Sequence, residues 1–186
     1  MTEPEKSPKT GKAMERASIL ASAPLFASIL HLLGNVFFLT SVKVDEAAGR
    51  IEGVASFPVL FGAGELGLLL SSPEKGLSAV KAFVSGPDLL MGLLLVFLSY
   101  YAVKGKKNCL YLAFGAYLLD TALMAASLVL GPRSSVLSLR VVDYVLPPLL
   151  HALVLLLTAL ALVFDAKARK EEKPEGLYVS KNPKSR

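Results

Sequence analysis

The stretch Ala17-Ser-Ile-Leu-Ala-Ser-Ala-Pro-Leu-Phe-Ala-Ser-Ile-Leu-His-Leu-Leu-Gly-Asn-Val-Phe-Phe-Leu-Thr-Ser-Val42 decides the fold, because it holds 26 residues without a charged side chain. As a helix rising about 1.5 Å per residue, it is longer than the ~30 Å hydrocarbon core of a bilayer. It also exceeds the ~7–15 residue apolar core of a signal peptide, so we expect a retained membrane helix. Further apolar segments follow at 54–72, 88–103, 109–131 and 141–165.

The composition supports a membrane protein with short soluble ends. Of the 186 residues, 53% are hydrophobic and only 19% are charged, against about 25% charged residues in soluble domains. We expect a basic tail over 1–16, a transmembrane domain over 17–165, and a charged, partly disordered tail over 166–186. The net charge of +5 comes from basic residues that flank apolar runs. Membrane lipids, and not nucleic acid, are therefore the expected partners.

Segment 54–72 is unlike the others. Glycines, Pro58 and Glu65 make its first half poor helix material. If it does not cross the membrane, 14 of the 20 Lys and Arg residues fall on the inner side and 6 on the outer side. If it does cross, the positive-inside rule is violated. We therefore expect a re-entrant or interfacial helix on the outer side, with residues 53–64 partly unwound and close to water.

The predicted fold class is an all-α, polytopic membrane helix bundle with four transmembrane helices and one short re-entrant or interfacial helix. The predicted location is a cell membrane, with both termini cytoplasmic. At the start of segment 88–103, Ser85 is expected to cap the helix and Asp88 to lie in its first turn. Pro147-Pro148 is expected to kink the last helix or to mark its start.

Three ionisable side chains lie near the middle of three different spans, namely His31, Asp120 and His151. Inserting such a group into the bilayer costs roughly 2.5–3.5 kcal/mol, so each needs a partner, water or a function. We predict that they face the bundle interior with at least one Asp–His hydrogen bond. Three interpretations are open: hydrogen bonding between helices, a proton or ion pathway, and a haem or metal site.

Helical spacing places other polar side chains near this cluster. Ser28, His31 and Asn35 share one face of the first helix, and Tyr117 shares a face with Asp120. Along the last helix one stripe holds Arg140, Tyr144, Pro147, His151 and Thr158. Asn35, Tyr117, Tyr144 and Arg140 are therefore candidate contacts for a substrate or for the outer mouth of the bundle.

Glu65 is the last candidate, in the sequence Phe61-Gly-Ala-Gly-Glu-Leu-Gly67. If this segment enters the membrane, its backbone and Glu65 could bind a cation or polar ligand at the outer mouth. Alternatively Glu65 faces outer water, or pairs with Lys81 or Arg140. Arg140 itself is also expected to pair with Asp143, three residues along the helix.

The sequence contains no Gly-x-Ser-x-Gly, His-Glu-x-x-His, P-loop or Rossmann glycine pattern. Its single cysteine, Cys109, excludes an internal disulfide. We therefore expect a membrane component that is not an enzyme, has no catalytic residues and needs no metal or cofactor. It would act by association with itself or with another membrane protein. The alternatives are a small transporter or proton-linked permease using the His/Asp cluster, and a haem-binding electron carrier.

The layout from Glu15 to about Ala168 resembles that of small uncharacterised bacterial four-helix integral membrane proteins. The matching features are Arg16-Ala17, Gly62-Ala-Gly64, Tyr117-Leu-Leu-Asp120 and His151. The chain departs from the pattern in its lack of tryptophan, in Pro147-Pro148 and in its longer charged tail. The resemblance implies a bundle of four spanning helices with a short glycine-rich segment, and it implies no activity.

Overall fold

The computed structural model describes residues 8–45, 47–52, 61–71, 73–130 and 141–172. These residues form a helical bundle with one small hairpin. In chain order the elements are α1 (Pro8–Ala21), α2 (Ala23–Ser41), β1 (Lys43–Asp45), β2 (Arg50–Glu52), α3 (Gly62–Leu70), α4 (Gly76–Val103), α5 (Lys107–Leu130) and α6 (Val141–Glu172). Strands β1 and β2 pair antiparallel, and Gly49 in their turn has a φ of 61°, which favours glycine.

Four helical stretches are long and apolar enough to cross a membrane, which confirms the predicted fold class. They are Lys12–Ser41, Gly76–Val103, Lys107–Leu130 and Val145–Lys170. The first is made of α1 and α2, which are separated at Ser22 just before Pro24. Helix α3 has only nine residues, so its length is about 13 Å, less than half of the hydrocarbon core.

The distribution of side chains is the one expected of a bundle whose outer surface faces lipid. The outward faces of the long helices carry large apolar residues, such as Phe26 at 70% exposure and Leu90 at 71%. The interior holds polar side chains without exposed surface, including His31 and Thr158. A soluble bundle would show the opposite arrangement, because it must bury its apolar surface. The architecture is therefore compatible with a multi-pass membrane protein.

Two ends of the bundle are distinguished by the elements they carry. We call the end that bears β1 and β2 the hairpin face, and the end that bears α1 and the α4–α5 loop the tail face.

The buried apolar core has three layers. A hairpin-face layer contains Phe38, Val42, Ile51, Leu68, Val80 and Val84. A middle layer contains Ala27, Phe61, Leu95, Tyr117 and Val154. A tail-face layer contains Ala21, Ala102, Leu110 and Ala161.

Helix α3 begins in the middle of the bundle and ends at the hairpin face. Phe61, which precedes its first residue, belongs to the middle layer, whereas Leu68 near its end belongs to the hairpin-face layer. The expectation that residues 62–64 are unwound and close to water is wrong: they form the first turn of α3, and Gly62 and Gly64 are buried. The remaining part of that prediction, residues 53–60, lies outside the described residues.

The start of α4 also differs from the prediction. The helix begins at Gly76 and continues through Ser85 and Pro87, so Ser85 is not its cap and Asp88 is not in its first turn. A proline inside a helix leaves the carbonyl four residues earlier without its usual donor, here that of Phe83. Gly67 of α3 packs so closely against this carbonyl oxygen that a Cβ would overlap it. Helix α6 likewise runs through Pro147 and Pro148 and does not start there.

Candidate functional site

Asp120 occupies the centre of the bundle and holds the first turn of α3. Its carboxylate accepts hydrogen bonds from the backbone N–H groups of Gly62, at 2.9 Å, and Ala63, at 3.0 Å. The side chain comes from α5 and has no exposed surface. The first N–H groups of a helix have no partner within the helix and carry its partial positive charge, so a carboxylate is well suited to this position.

His151 of α6 contacts the same carboxylate. Its Nε2 lies 2.9 Å from Oδ2 of Asp120, and its Nδ1 lies 2.9 Å from the carbonyl oxygen of Pro147. A carbonyl oxygen only accepts hydrogen bonds, so Nδ1 carries a proton and donates it to Pro147. The ring is thereby fixed by its own helix and directed at α5. The predicted Asp–His contact is confirmed.

His31 of α2 completes the group. The centroid of its ring lies 4.2 Å from that of Phe61 and 5.3 Å from that of His151. Its Nε2 is 3.3 Å from the hydroxyl oxygen of Tyr117. All four side chains are fully buried. The structure thus brings together the three ionisable residues that the sequence singled out, and it adds Tyr117, which the helical spacing had placed on the face of Asp120, and Phe61 as a new member.

A second buried carboxylate, Asp88 of α4, also holds the start of α3. It accepts hydrogen bonds from the backbone N–H of Phe61, at 2.6 Å, and from Nδ2 of Asn35, at 2.9 Å. The prediction that Asp88 starts a helix was wrong. It assumed that the apolar helix begins after Pro87, whereas α4 begins at Gly76. Following the helix back through Gly86-Pro87 would have placed Asp88 inside the span and marked it as a candidate. Asn35 was predicted on the inward face and is buried there.

Glu65 lies neither in water nor beside Lys81. It has 6% exposure, and its Oε2 accepts a hydrogen bond from Oγ of Ser127 on α5 at 3.1 Å. Glu65 lies in the first turn of α3, just after the residues whose N–H groups donate to Asp88 and Asp120. Glu65 is thus buried against α5, and its predicted pairing with Arg140 lies outside the described residues.

Glycines allow α3 to lie this close to its neighbours. A Cβ at Gly62 would overlap the backbone of Asp120 and Met124, and one at Gly64 would overlap the side chain of Asp88. The residue types that made this segment look like poor helix material therefore serve close packing. The sequence showed the glycines, but it contained no sign of which helices they would contact.

The two remaining candidates, Arg140 and Tyr144, lie wholly or partly outside the described residues. Arg140, and with it the predicted pairing to Asp143, lies outside the described residues, and Tyr144 lies in α6 with its side chain outside them. Within the described part of the chain, no group of three or more His, Cys, Asp or Glu side chains is arranged to hold a metal ion.

Comparisons with protein-family models, with curated proteins and with solved structures find no match to this chain.

Proposed function

We propose that the chain is a small proton-linked permease of a cell membrane, with both termini cytoplasmic. In this proposal Asp120 and His151 hold the transferred proton, and α3 is the gate. The observation that carries the proposal is the sharing of one carboxylate. Asp120 contacts a titratable ring on one side and the backbone of a short, non-spanning helix on the other.

The hydrogen bonds of His151 require one proton in its contact with Asp120. Because Nδ1 donates to Pro147, the contact between Nε2 and Asp120 contains one further proton. If this proton is on Nε2, the pair is an imidazolium and a carboxylate. If it is on Asp120, the pair is a neutral imidazole and a carboxylic acid. This proton can therefore move between His151 and Asp120 without any change in the positions of the two side chains.

The protonation state of Asp120 controls how strongly it binds the backbone N–H groups at the start of α3. As a carboxylate, Asp120 has the acceptors and the negative charge that the N–H groups of Gly62 and Ala63 require. Protonation removes the charge and turns one oxygen into a donor. A nine-residue helix has little stability of its own, so its position depends on such contacts. Gain of a proton by Asp120 would therefore release the start of α3.

The buried state of the site favours a carrier over an open channel. The side chains of His31, Asp120 and His151 have no exposed surface, and α3 occupies the route from them to the hairpin face. A permease alternates between states that expose its central site to one side at a time. Movement of α3 is the simplest change that would open this site.

The other two hypotheses account for less of the geometry. Association with itself or with a partner fits the apolar outer faces, which lipid also covers, but it gives the buried carboxylates only a packing role. A haem ligated by His31 and His151 does not fit these residues. Both ring nitrogens of His151 are already hydrogen-bonded, and the ring of His31 packs on Phe61.

Proton movement into sealed vesicles tests the proposal. The purified chain is reconstituted in liposomes containing a pH-sensitive dye, and a potassium diffusion potential draws protons inward. We expect internal acidification above that of empty vesicles for the natural chain and for Asp45→Asn, whose carboxylate lies in the hairpin. Asp120→Asn should reduce the flux to the level of empty vesicles. Equal flux through the natural chain and Asp120→Asn contradicts the proposal.

A further inference from the structure

A cleft lies among four helices at the tail face of the bundle. It has a volume of about 150 Å³, and its lining comes from α1, the end of α4, the start of α5 and the end of α6. The buried part of the lining consists of small or apolar side chains, namely Ala17, Ala21, Ala102, Leu110 and Ala168. The exposed part includes the cationic residues Lys107 and Arg169. The cleft therefore combines an apolar floor with a basic rim.

The charge of the cleft is set by Lys107. The guanidinium of Arg169 donates two hydrogen bonds to the carboxylate of Asp165, at 2.8 and 3.0 Å, so this ion pair in the lining is neutral as a unit. The ammonium of Lys107 lies 5.5 Å from the ring centroid of Tyr111, and this contact with a neutral ring does not cancel its charge. The lining thus carries one net positive charge.

The helix start beside Lys107 adds to this positive charge. The first N–H groups of a helix have no partner within it and carry a partial positive charge. Helix α5 has no acidic residue in its first turn to compensate this charge, and Lys106 and Lys107 reinforce it. Across the same turn, the last four carbonyl groups of α4 each accept a hydrogen bond. This arrangement of charges favours an anion beside the start of α5.

The cleft lies at the level where lipid headgroups meet the bundle. One candidate span ends at Val103 and the next begins at Lys107, and both residues line the cleft. Tyr100 and Tyr111 are each 46% exposed at this level, and the ammonium of Lys104 lies 4.4 Å from the ring centroid of Tyr100. Tyrosine and lysine side chains at the ends of spans are typical of the membrane interface. An anion at this depth is most directly supplied by a lipid headgroup.

The surroundings and the size of the cleft favour an anionic phospholipid over a soluble metabolite. Residues 12–21, 100–111 and 161–170, which provide its walls, carry eight Lys and Arg side chains and two Asp and Glu side chains. Basic pockets between membrane helices on the cytoplasmic side bind phosphate headgroups, and anionic lipids are abundant in that leaflet. Pockets for soluble small molecules measure about 300–1,000 Å³, and this cleft is smaller.

We infer that the tail-face cleft binds the headgroup of an anionic phospholipid. The phosphate lies between the ammonium of Lys107 and the first N–H groups of α5, and the glycerol lies on the alanine-rich floor. The acyl chains continue along the apolar outer face of α5, where Leu112 is 58% exposed. This binding site does not rest on the proposed function, because it requires no proton transport.

Native mass spectrometry of the purified chain in detergent tests the site. Dioleoyl phosphatidylglycerol is the anionic probe, and dioleoyl phosphatidylcholine is the zwitterionic one. We expect one phosphatidylglycerol to bind several-fold more tightly than phosphatidylcholine, and Lys107→Gln to lower its affinity several-fold. The matched control is Lys167→Gln, which removes the same charge from an exposed position of α6 outside the cleft lining. It should leave the affinity unchanged.

Arg169→Gln is a second variant. It leaves the carboxylate of Asp165 without its cation beside the headgroup, so it should also weaken the binding of phosphatidylglycerol. Equal loss of affinity in Lys107→Gln and Lys167→Gln would reduce the effect to the general charge of the tail face and overturn the inference. Equal binding of the two lipids would overturn it as well. Displacement of phosphatidylglycerol by millimolar inorganic phosphate would assign the cleft to a free anion and contradict the lipid site.

Discussion

The carboxylate of Asp120 lies 2.9 Å from Nε2 of His151, and neither side chain has any exposed surface. The same carboxylate holds the backbone N–H groups of Gly62 and Ala63. One side chain of α5 thus connects α6 to the start of α3. A change in the charge of this side chain therefore acts on both neighbours.

The first prediction concerns the energy of the Asp120–His151 pair. Removing one partner of a buried ion pair leaves the other without compensation and costs about 3–5 kcal/mol. Asp120→Asn and His151→Gln should each lower the free energy of unfolding by an amount in this range, and the double variant by little more than either one. The measurement is a double-mutant cycle from denaturant unfolding in detergent.

A simple sum of the two single effects would show that the two side chains do not interact. Hydrogen bonds between membrane helices average only about 0.6 kcal/mol in such cycles. A coupling well above that value is therefore the expected signature of a charged pair.

The second prediction concerns the hydrogen bonds that Asp88 accepts from Phe61 and Asn35. Asp88→Ala removes the acceptor for a backbone N–H and for an amide, both in the interior. Each buried donor left without a partner costs about 1–3 kcal/mol, so we expect a loss of stability of a few kcal/mol. Thermal unfolding in detergent measures it.

Asp45→Ala is the matched control for that experiment, because Asp45 accepts from the backbone N–H of Ala48 in an exposed turn. Water replaces a lost partner there, and the expected change is below about 1 kcal/mol. Equal losses for Asp88→Ala and Asp45→Ala would mean that the Asp88 hydrogen bonds contribute no more than surface contacts do.

The third prediction concerns the glycines of α3. Gly62→Ala places a Cβ against the backbone of Asp120 and Met124, which cannot move as a flexible side chain can. Overpacking of this kind costs typically about 1–3 kcal/mol. Gly115→Ala on α5 meets nothing within 4 Å, and alanine is the better helix former by about 1 kcal/mol. The thermal unfolding temperature should therefore fall for Gly62→Ala and stay equal or rise for Gly115→Ala. The opposite order would contradict the packing of α3 against α5.

The fourth prediction concerns topology. The lysines and arginines favour an arrangement in which both termini and the α4–α5 loop are cytoplasmic. Reporter fusions after Ser72 and after Arg186 should read as periplasmic and cytoplasmic, respectively. A periplasmic C-terminal fusion would exclude the four-span arrangement with both ends inside.

Apolar length and charge balance predict the main features of this fold. They predicted four helices long and apolar enough to span a membrane, one short helix, and the inward placement of His31, Asp120 and His151, since each of these follows from the cost of placing polar groups in lipid. Apolar length and charge balance could not predict where α3 packs. Gly62 and Gly64 weaken a helix by intrinsic propensity, and only the contacts with α5 and α4 reverse this effect.

Asp88 and Glu65 were misinterpreted for a related reason. A proline followed by an acidic residue is typical of a helix start, so Pro87-Asp88 suggested the boundary of a span. In the structure the helix continues through Pro87, and Gly67 packs against the carbonyl that Pro87 leaves free. A solvated Glu65 was one of the interpretations because most carboxylates are solvated, whereas Glu65 is buried and contacts Ser127, which is distant in sequence. Contacts between residues far apart in sequence decided both cases.

The central claim is that the charge of Asp120 holds the first turn of α3 in place. It is tested by the rate at which a water-soluble thiol reagent modifies Ala63→Cys in a Cys109→Ser background, with Asp120 and with Asp120→Asn. Asparagine lacks the charge and has a donor where the carboxylate has a second acceptor, so it imitates the protonated acid. We predict several-fold faster modification in the Asp120→Asn chain and no change with Asp45→Asn. An equal rate with Asp120 and with Asp120→Asn, in chains that remain folded, would contradict the account.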